Sequence, residues 1–379
     1  MSHLQTSDSQ NESQRQYCND HLPITHHCIA TIKGDGSYIS SLVIGGKFLY
    51  TGSSNKEIRM LKCDNLRAEF DHENLSDCMI IRGNGAVKSL VVSADKIFSA
   101  HQDHKIRVWR VDESEVQQQK LTHLATLPTF SDRTLTVLSP KSHVQVSRHK
   151  TSTWVHHNDT VSALAVSMDG LVLYSVSWDR TLKIWHAADF KCLESICNAH
   201  DDAINALSVS SNGDVYTGST DRTIKLWRKL KSSDGEKHTL VTTLKKHKSG
   251  VNALALSTNE NILFSGASDR LIMAWETSDE DENDMVAVSV LKGHVKSIMC
   301  LSVVSDLLCS GSADETIRIW NKTENCYFCL AVLDGHKGPV KCLTSETDHN
   351  HATDASASYL IYSGGLDSDI KVWQIFIPL

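Results

Sequence analysis

HVKSIMCLSVVSDLLCSGSADETIRIW, residues 294 to 320, holds three short β-rich runs parted by polar turn residues, and FCLAVL (328 to 333) supplies a fourth. Four antiparallel strands of this length form a sheet with two bare edges. Such a sheet is marginal alone in water, and radial packing against similar sheets covers its faces. The chain repeats the unit. An Asp stands six residues before a Trp at Asp103 and Trp109, Asp179 and Trp185, Asp221 and Trp227, Asp269 and Trp275, Asp314 and Trp320, and Asp367 and Trp373. From Trp185 onward the indoles recur every 42 to 53 residues, the sign of one supersecondary unit copied around a closed array. The period predicts an all-β chain folded as a seven-bladed β-propeller.

Two further registers accompany the first. A Ser or Thr lies four residues before each Asp, at Ser99, Ser175, Thr217, Ser265, Ser310 and Ser363. His157, His200, His247, His294 and His336 each stand four residues before the first apolar residue of the next inner strand. A buried indole N–H, a hydroxyl and a carboxylate all need partners, and one chain running from Asp through His and Ser/Thr to Trp satisfies them together. Five such tetrads are expected, the last three being His247, Ser265, Asp269 and Trp275; His294, Ser310, Asp314 and Trp320; and His336, Ser363, Asp367 and Trp373. The first unit (38 to 63) departs from the pattern, with Asn55 and Leu61 for Asp and Trp, Thr51 kept, and Asp35 in the His place. The second (86 to 127) has Gly83 where His should stand, so its chain of hydrogen bonds is expected to be incomplete.

These residues resemble WD-repeat propellers, whose blades are held by such a chain. The strings SVSWDRTLKIW and CLESI, together with LFSGASDRLIMAWE (263 to 276), are similar to the plant WD-repeat subfamily named for Jingubang, over about residues 27 to 375. The resemblance implies a plant regulatory protein of cytosol or nucleus. Its expected role is a non-catalytic interaction scaffold that binds signalling or transcription factors. A substrate receptor for a cullin-type ubiquitin ligase is the first alternative; such receptors resemble one another in a Trp-Asp-x-Arg string. Here the tryptophans are followed by Arg110, His186, Arg228, Glu276, Asn321 and Gln374. A propeller enzyme working in the central channel is the other alternative.

The domain reading assigns 1–26 to a polar tail and 27–379 to the propeller, with insertions at about 128–153, 277–286 and 346–358. The last unit ends at Trp373 with too little chain for an outer strand, while CIATIK (28 to 33) precedes the first unit unpaired. The N-terminal strand is therefore expected to close the last blade. The first 24 residues lack the apolar stretch of a secretory signal, and no run approaches the roughly 18 apolar residues that span a bilayer. No membrane role is expected. A net charge of −7 without a basic block speaks against nucleic acid as a direct partner. Eleven cysteines lie mostly in apolar runs and read as reduced, buried thiols.

Catalytic, cofactor and metal sites are all expected to be absent. No phosphate-cradling glycine loop or nucleophile elbow occurs, and the Ser, His and Asp residues recur once per unit, as a structural set does. Cys326 with Cys329 and His349 with His351 lack the companions of a metal set. The expected partners are regulatory proteins, and self-association stays open. The turns that carry the Asp residues share a face with the 128–153 insertion, so that face is the expected docking surface. Its candidates are Trp178, beside the turn Asp179; Arg180, Arg222 and Arg270, each following a turn Asp; and Arg148 with Trp154 in and beside the insertion.

Overall fold

The computed structural model describes residues 24–67, 79–112, 120–130, 132, 143–147, 150–232, 235–278, 283–323, 326–352 and 356–378. Strand β1 is Thr25–Ile32. Blade 1 holds β2 (Ile39–Gly45), β3 (Phe48–Ser53), β4 (Glu57–Lys62) and β5 (Met79–Arg82), with the short helix α1 (Cys63–Arg67) after β4. Blade 2 holds β6 (Val87–Ser93), β7 (Lys96–His101), β8 (Ile106–Asp112) and β9 (Lys120–Leu127). A separate hairpin of β10 (His143–Ser147) and β11 (Lys150–Thr153) leads into blade 3, formed by β12 (Val161–Val166), β13 (Val172–Ser177), β14 (Leu182–His186) and β15 (Cys192–Ile196). Blade 4 is β16 (Ile204–Val209), β17 (Val215–Ser219), β18 (Ile224–Ser232) and β19 (Gly235–Leu244). Blade 5 is β20 (Val251–Leu256), β21 (Ile262–Ala267), β22 (Ile272–Thr277) and β23 (Met285–Leu291). Blade 6 is β24 (Ile298–Val304), β25 (Leu307–Ser312), β26 (Ile317–Lys322) and β27 (Tyr327–Leu333). Blade 7 takes β28 (Val340–Thr347), β29 (Ser356–Gly365) and β30 (Ile370–Pro378) and is completed by β1, which pairs antiparallel with β30. Among the described residues no helix is long and apolar enough to cross a membrane.

The seven sheets stand in a ring because each inner strand touches those before and after it, and β2 returns to β28. The core lies between blades. Trp185 sits among Phe98, Ile106 and Val108 of blade 2, and Trp227 among Tyr174, Leu182 and Ile184 of blade 3, so each indole packs against the preceding sheet. Burying such a side chain contributes roughly 2 to 3 kcal/mol, which is why the Trp register is the strongest signal in the sequence. Close approach between blades explains the glycine beside the Ser/Thr register. A Cβ on Gly218 would fall 2.7 Å from Val251 Cγ1 of the next inner strand.

Around the channel the blades are also tied by polar side chains. Ser40 Oγ donates to the Val87 carbonyl at 2.5 Å, Ser162 Oγ to Ile204 at 2.5 Å, and Asn252 Nδ2 to Ile298 at 2.8 Å. Asn205 does the same to Val251, while in blades 6 and 7 the thiols of Cys300 and Cys342 reach Val340 and Ile39. Burial pushes the Cys300 thiol up to about 12 and keeps it protonated to donate. Blade 2 carries Lys88 at the equivalent inner-strand position.

Three sequence expectations change. The insertion boundaries move inward, because β22 and β23 leave only 278–284 between them and β28 and β29 leave 348–355. The polar tail yields its last two residues to β1, which begins at Thr25 to match Phe376; the rest of it, residues 1–23, lies outside the described residues. The third correction is chemical. Blade 2 does have its histidine, supplied by strand β7: Trp109 Nε1 donates to Ser99 Oγ at 2.8 Å, and His101 Nε2 meets the same hydroxyl at 2.8 Å. The Nδ1–H of His101 donates to the Gly85 carbonyl at 2.8 Å, and Asp103 turns to Arg107 instead. Gly83 leaves the room for this, since a Cβ there would lie 3.2 Å from the His101 ring.

Blade 1 keeps the hydroxyl without the indole. With Leu61 in the Trp place, the fully buried Thr51 Oγ1 has no hydrogen-bond partner among the described residues. An unsatisfied buried hydroxyl costs about 1 to 3 kcal/mol, and valine has the same shape without it. Thr51→Val is therefore expected to raise stability by about 1 kcal/mol in urea unfolding; a destabilised variant would count against the orphaned hydroxyl.

Candidate interaction face

The face that carries the Asp turns has its backbone pinned by the tetrads of blades 3 to 7. In blade 4, Trp227 Nε1 donates to Thr217 Oγ1 at 2.9 Å, Thr217 meets His200 Nε2 at 2.7 Å, and His200 Nδ1 donates to Asp221 at 2.8 Å. The same carboxylate accepts from the Asp201 amide, the Thr223 amide and the Thr223 hydroxyl. Burial opposes ionisation of Asp221, yet the hydrogen bonds from His200 and Thr223 hold it far below the usual carboxylate range. The loop before the inner strand and the turn between the middle strands are thus clamped to one charge.

The other tetrads have the same geometry with local variation. In blade 6, His294 bridges Ser310 at 2.8 Å and Asp314 at 2.9 Å. His247 joins Ser265 to Asp269, and His336 joins Ser363 to Asp367. Blade 3 inserts a hydroxyl: His157 Nδ1 lies 3.6 Å from Asp179 but 2.8 Å from Thr181 Oγ1, which in turn donates to Asp179 at 2.6 Å. Thr181, Thr223 and Thr316 repeat at two residues past the Asp, a signal present in the strings DRT, DRT and DET that the four-residue register does not include.

The residue after each Asp adopts a left-handed backbone, with φ of 69° at Arg180, 73° at Arg222 and 72° at Arg270. That conformation lifts the three side chains off the face, where all are exposed. Among the described residues none of the three guanidinium groups makes an ion pair. Trp178, 40% exposed, stands inward of Arg180, and its ring lies 5.5 Å from the Lys88 ammonium, which is also 5.9 Å from the Tyr38 ring. Trp154 is half-buried on the way into blade 3, its carbonyl accepting from the fully buried Lys183 Nζ at 2.5 Å. Arg148 lies outside the described residues.

Five segments of the chain, 148–186, 190–228, 238–276, 285–321 and 327–374, match the family described as WD domain, G-beta repeat, and together they make up more than half of it. The chain is a WD-repeat protein. Each match ends one residue past a tetrad Trp, and blades 1 and 2, where Leu61 and His101 alter the pattern, fall outside the matched segments. The chain is similar to human striatin, 34% identical over 140 residues that make up 33% of this chain and 18% of the relative. It is also similar to zinc finger CCCH domain-containing protein 62 of Arabidopsis thaliana, at 29% identity over 47% of this chain and 39% of the relative. Mitochondrial division protein 1 of Schizosaccharomyces pombe gives 25% identity over 51% of this chain and 34% of the relative. The chain thus covers well under half the length of each of these relatives. WD-repeat propellers commonly act as protein-interaction scaffolds and are generally non-catalytic, which fits His, Ser/Thr and Asp groups that are consumed in holding blades together.

Proposed function

We propose that this WD-repeat propeller is a scaffold whose Asp-turn face docks regulatory proteins, with Trp178 as the apolar anchor and Arg180, Arg222 and Arg270 as the polar rim. The observation that carries the reading is an indole left 40% exposed on a face whose backbone the tetrads make rigid. Trp and Arg concentrate interface energy, and truncating such an anchor costs about 2 kcal/mol or more. The Arabidopsis relative supports a plant origin, and the sequence resemblance to the Jingubang subfamily implies a regulator that acts on signalling or transcription factors in cytosol or nucleus. Quantitative affinity capture tests the face. A Trp178→Ala, Arg222→Ala variant should keep the wild-type melting temperature and lose at least one partner that wild type retains. Retention of every specific partner would place docking elsewhere.

A further inference from the structure

The channel mouth on the same face carries a charge pattern that the chain as a whole does not. Of the seven residues that follow the first position of each inner strand, only Lys88 and Lys341 are charged, and both are cations. They flank blade 1, whose counterpart Ser40 is already committed to the Gly52 and Val87 carbonyls. Neither ammonium makes a hydrogen bond or ion pair among the described residues. Lys88 instead rests against Trp178 and Tyr38, contacts that shield a cation but leave its charge uncompensated. Burial pushes the Lys341 ammonium down against Cys300 and Cys342, and the nearby Lys88 charge adds a smaller push in the same direction.

The outer ring of this face repeats the sign. At the left-handed position after each turn, blades 1, 3, 4 and 5 present Lys56, Arg180, Arg222 and Arg270, and blade 6 alone presents an acid, Glu315. Six cations and one anion at these two rings belong to a chain of net charge −7, so the concentration is local. We propose that this mouth binds an acidic peptide segment of the protein partner, one carboxylate held by Lys88 and Lys341, with Trp178 covering its apolar flank and the segment running toward blades 3 to 5, away from Glu315. The inference rests on the docking reading above and names the chemistry of its occupant. Complementary charge at a rigid, partly desolvated mouth gives specificity and fast encounter.

Fluorescein-labelled octaglutamate, titrated into the full chain and followed by anisotropy, is the probe, with octalysine as the opposite charge. Octaglutamate should bind and octalysine should not. A Lys88→Gln, Lys341→Gln variant should bind about tenfold more weakly. Lys47→Gln, Lys62→Gln, which removes the same charge from the opposite face, should stay within about twofold of wild type. Lys88→Arg, Lys341→Arg should restore binding and guards against a variant that merely unfolds, as does a matching melting temperature. Equal loss in both glutamine variants, or no octaglutamate binding, overturns the proposal. Oligothymidylate of the same length binding more tightly with the same lysine dependence overturns it in favour of nucleic acid. Partner capture lost in Trp178→Ala while octaglutamate ignores both lysines would sink this inference and leave the docking reading standing.

Discussion

Deleting residues 1–34 should abolish the cooperative unfolding transition, whereas a chain beginning at residue 24 should melt with the full-length protein. Strand β1 pairs with β30 from Thr25 to Ile32, against Phe376 to Ile370. Its loss bares the whole outer edge of the blade that closes the ring. Ile32 is buried, and Ile29 and Ala30 pack on a cluster that joins Ile39 and Leu42 of blade 1 to Leu360 and Val372 of blade 7. The strand therefore closes the ring through hydrophobic packing as well as hydrogen bonds. Lys33 Nζ pairs with Asp369 at 2.6 Å, and Lys371 Nζ donates to Thr31 Oγ1 at 3.1 Å. Two aliphatic side chains at roughly 2 to 3 kcal/mol each, added to an unpaired edge, approach the roughly 5 to 15 kcal/mol that holds a typical domain folded. Thermal melts by circular dichroism separate the two truncations. Equal midpoints would mean that the ring stays closed without β1.

What the sequence made legible follows from what repeats. The Trp register is readable because a large apolar group is needed once per blade at one place, and blades 3 to 7 obey it in both spacing and geometry. The closing strand was readable from a mismatch, a β-rich run at one end and a blade short of an outer strand at the other. The histidine of blade 2 was harder, because the hydrogen-bonding role survived while its position moved. His101 comes from the strand beside Ser99 and reaches the hydroxyl from there, so an alignment by loop position finds only Gly83. A histidine two residues before Asp103, where Ser177, Ser219 and Ser312 stand in other blades, was the available sign. The candidate docking residues were legible only as exceptions. Trp178 stands out because five of the other six turns carry small or polar residues there and blade 7 carries Leu366, but the Lys88 ammonium that lies against both the Trp178 and Tyr38 rings joins blades 1, 2 and 3 and needs the ring to be assembled. Lys341 had no sequence signal, since its meaning depends on facing the same channel as Lys88 from the far end of the chain.

Acidification should weaken this propeller well before its carboxylates titrate. Burial favours the neutral form of His101, His157, His294 and His336. In blade 2 the indole of Trp109 donates to Ser99 Oγ, so the Ser99 hydroxyl proton is free to go to His101 Nε2, while Nδ1–H serves the Gly85 carbonyl. A proton on Nε2 would turn the Ser99 hydroxyl to its longer contact with the Arg107 carbonyl at 3.3 Å and place a charge in a buried site. Burial, first, and Arg107, against the opposing pull of the Gly85 carbonyl and Asp103, bring His101 down from 6.5 to about 4. His157, His294 and His336 are lowered in the same direction, burial again being the largest cause and the paired Asp only a partial offset. The sign follows from linkage. Above pH 6.5 these rings are neutral in both states and cost nothing. As pH falls below 6.5 the unfolded chain takes up protons that the folded chain refuses, so stability declines until the folded value is reached. For His101 alone the loss approaches about 3 kcal/mol near pH 4. The carboxylates act later: Asp314, held at about 2 by Thr316, the Val295 amide and His294 against its burial, contributes stability above its unfolded value near 4, and that contribution goes only as pH falls through the folded one. Melting temperatures should therefore change little between pH 7.5 and 6.5 and fall from there to pH 4.5, and His101→Gln should lower the midpoint at pH 7.5 while flattening the decline below pH 6.5. A wild-type midpoint that stays constant from pH 7.5 to 4.5 would mean that these imidazoles take up protons equally in the folded and unfolded chain, and burial would not be what holds them neutral.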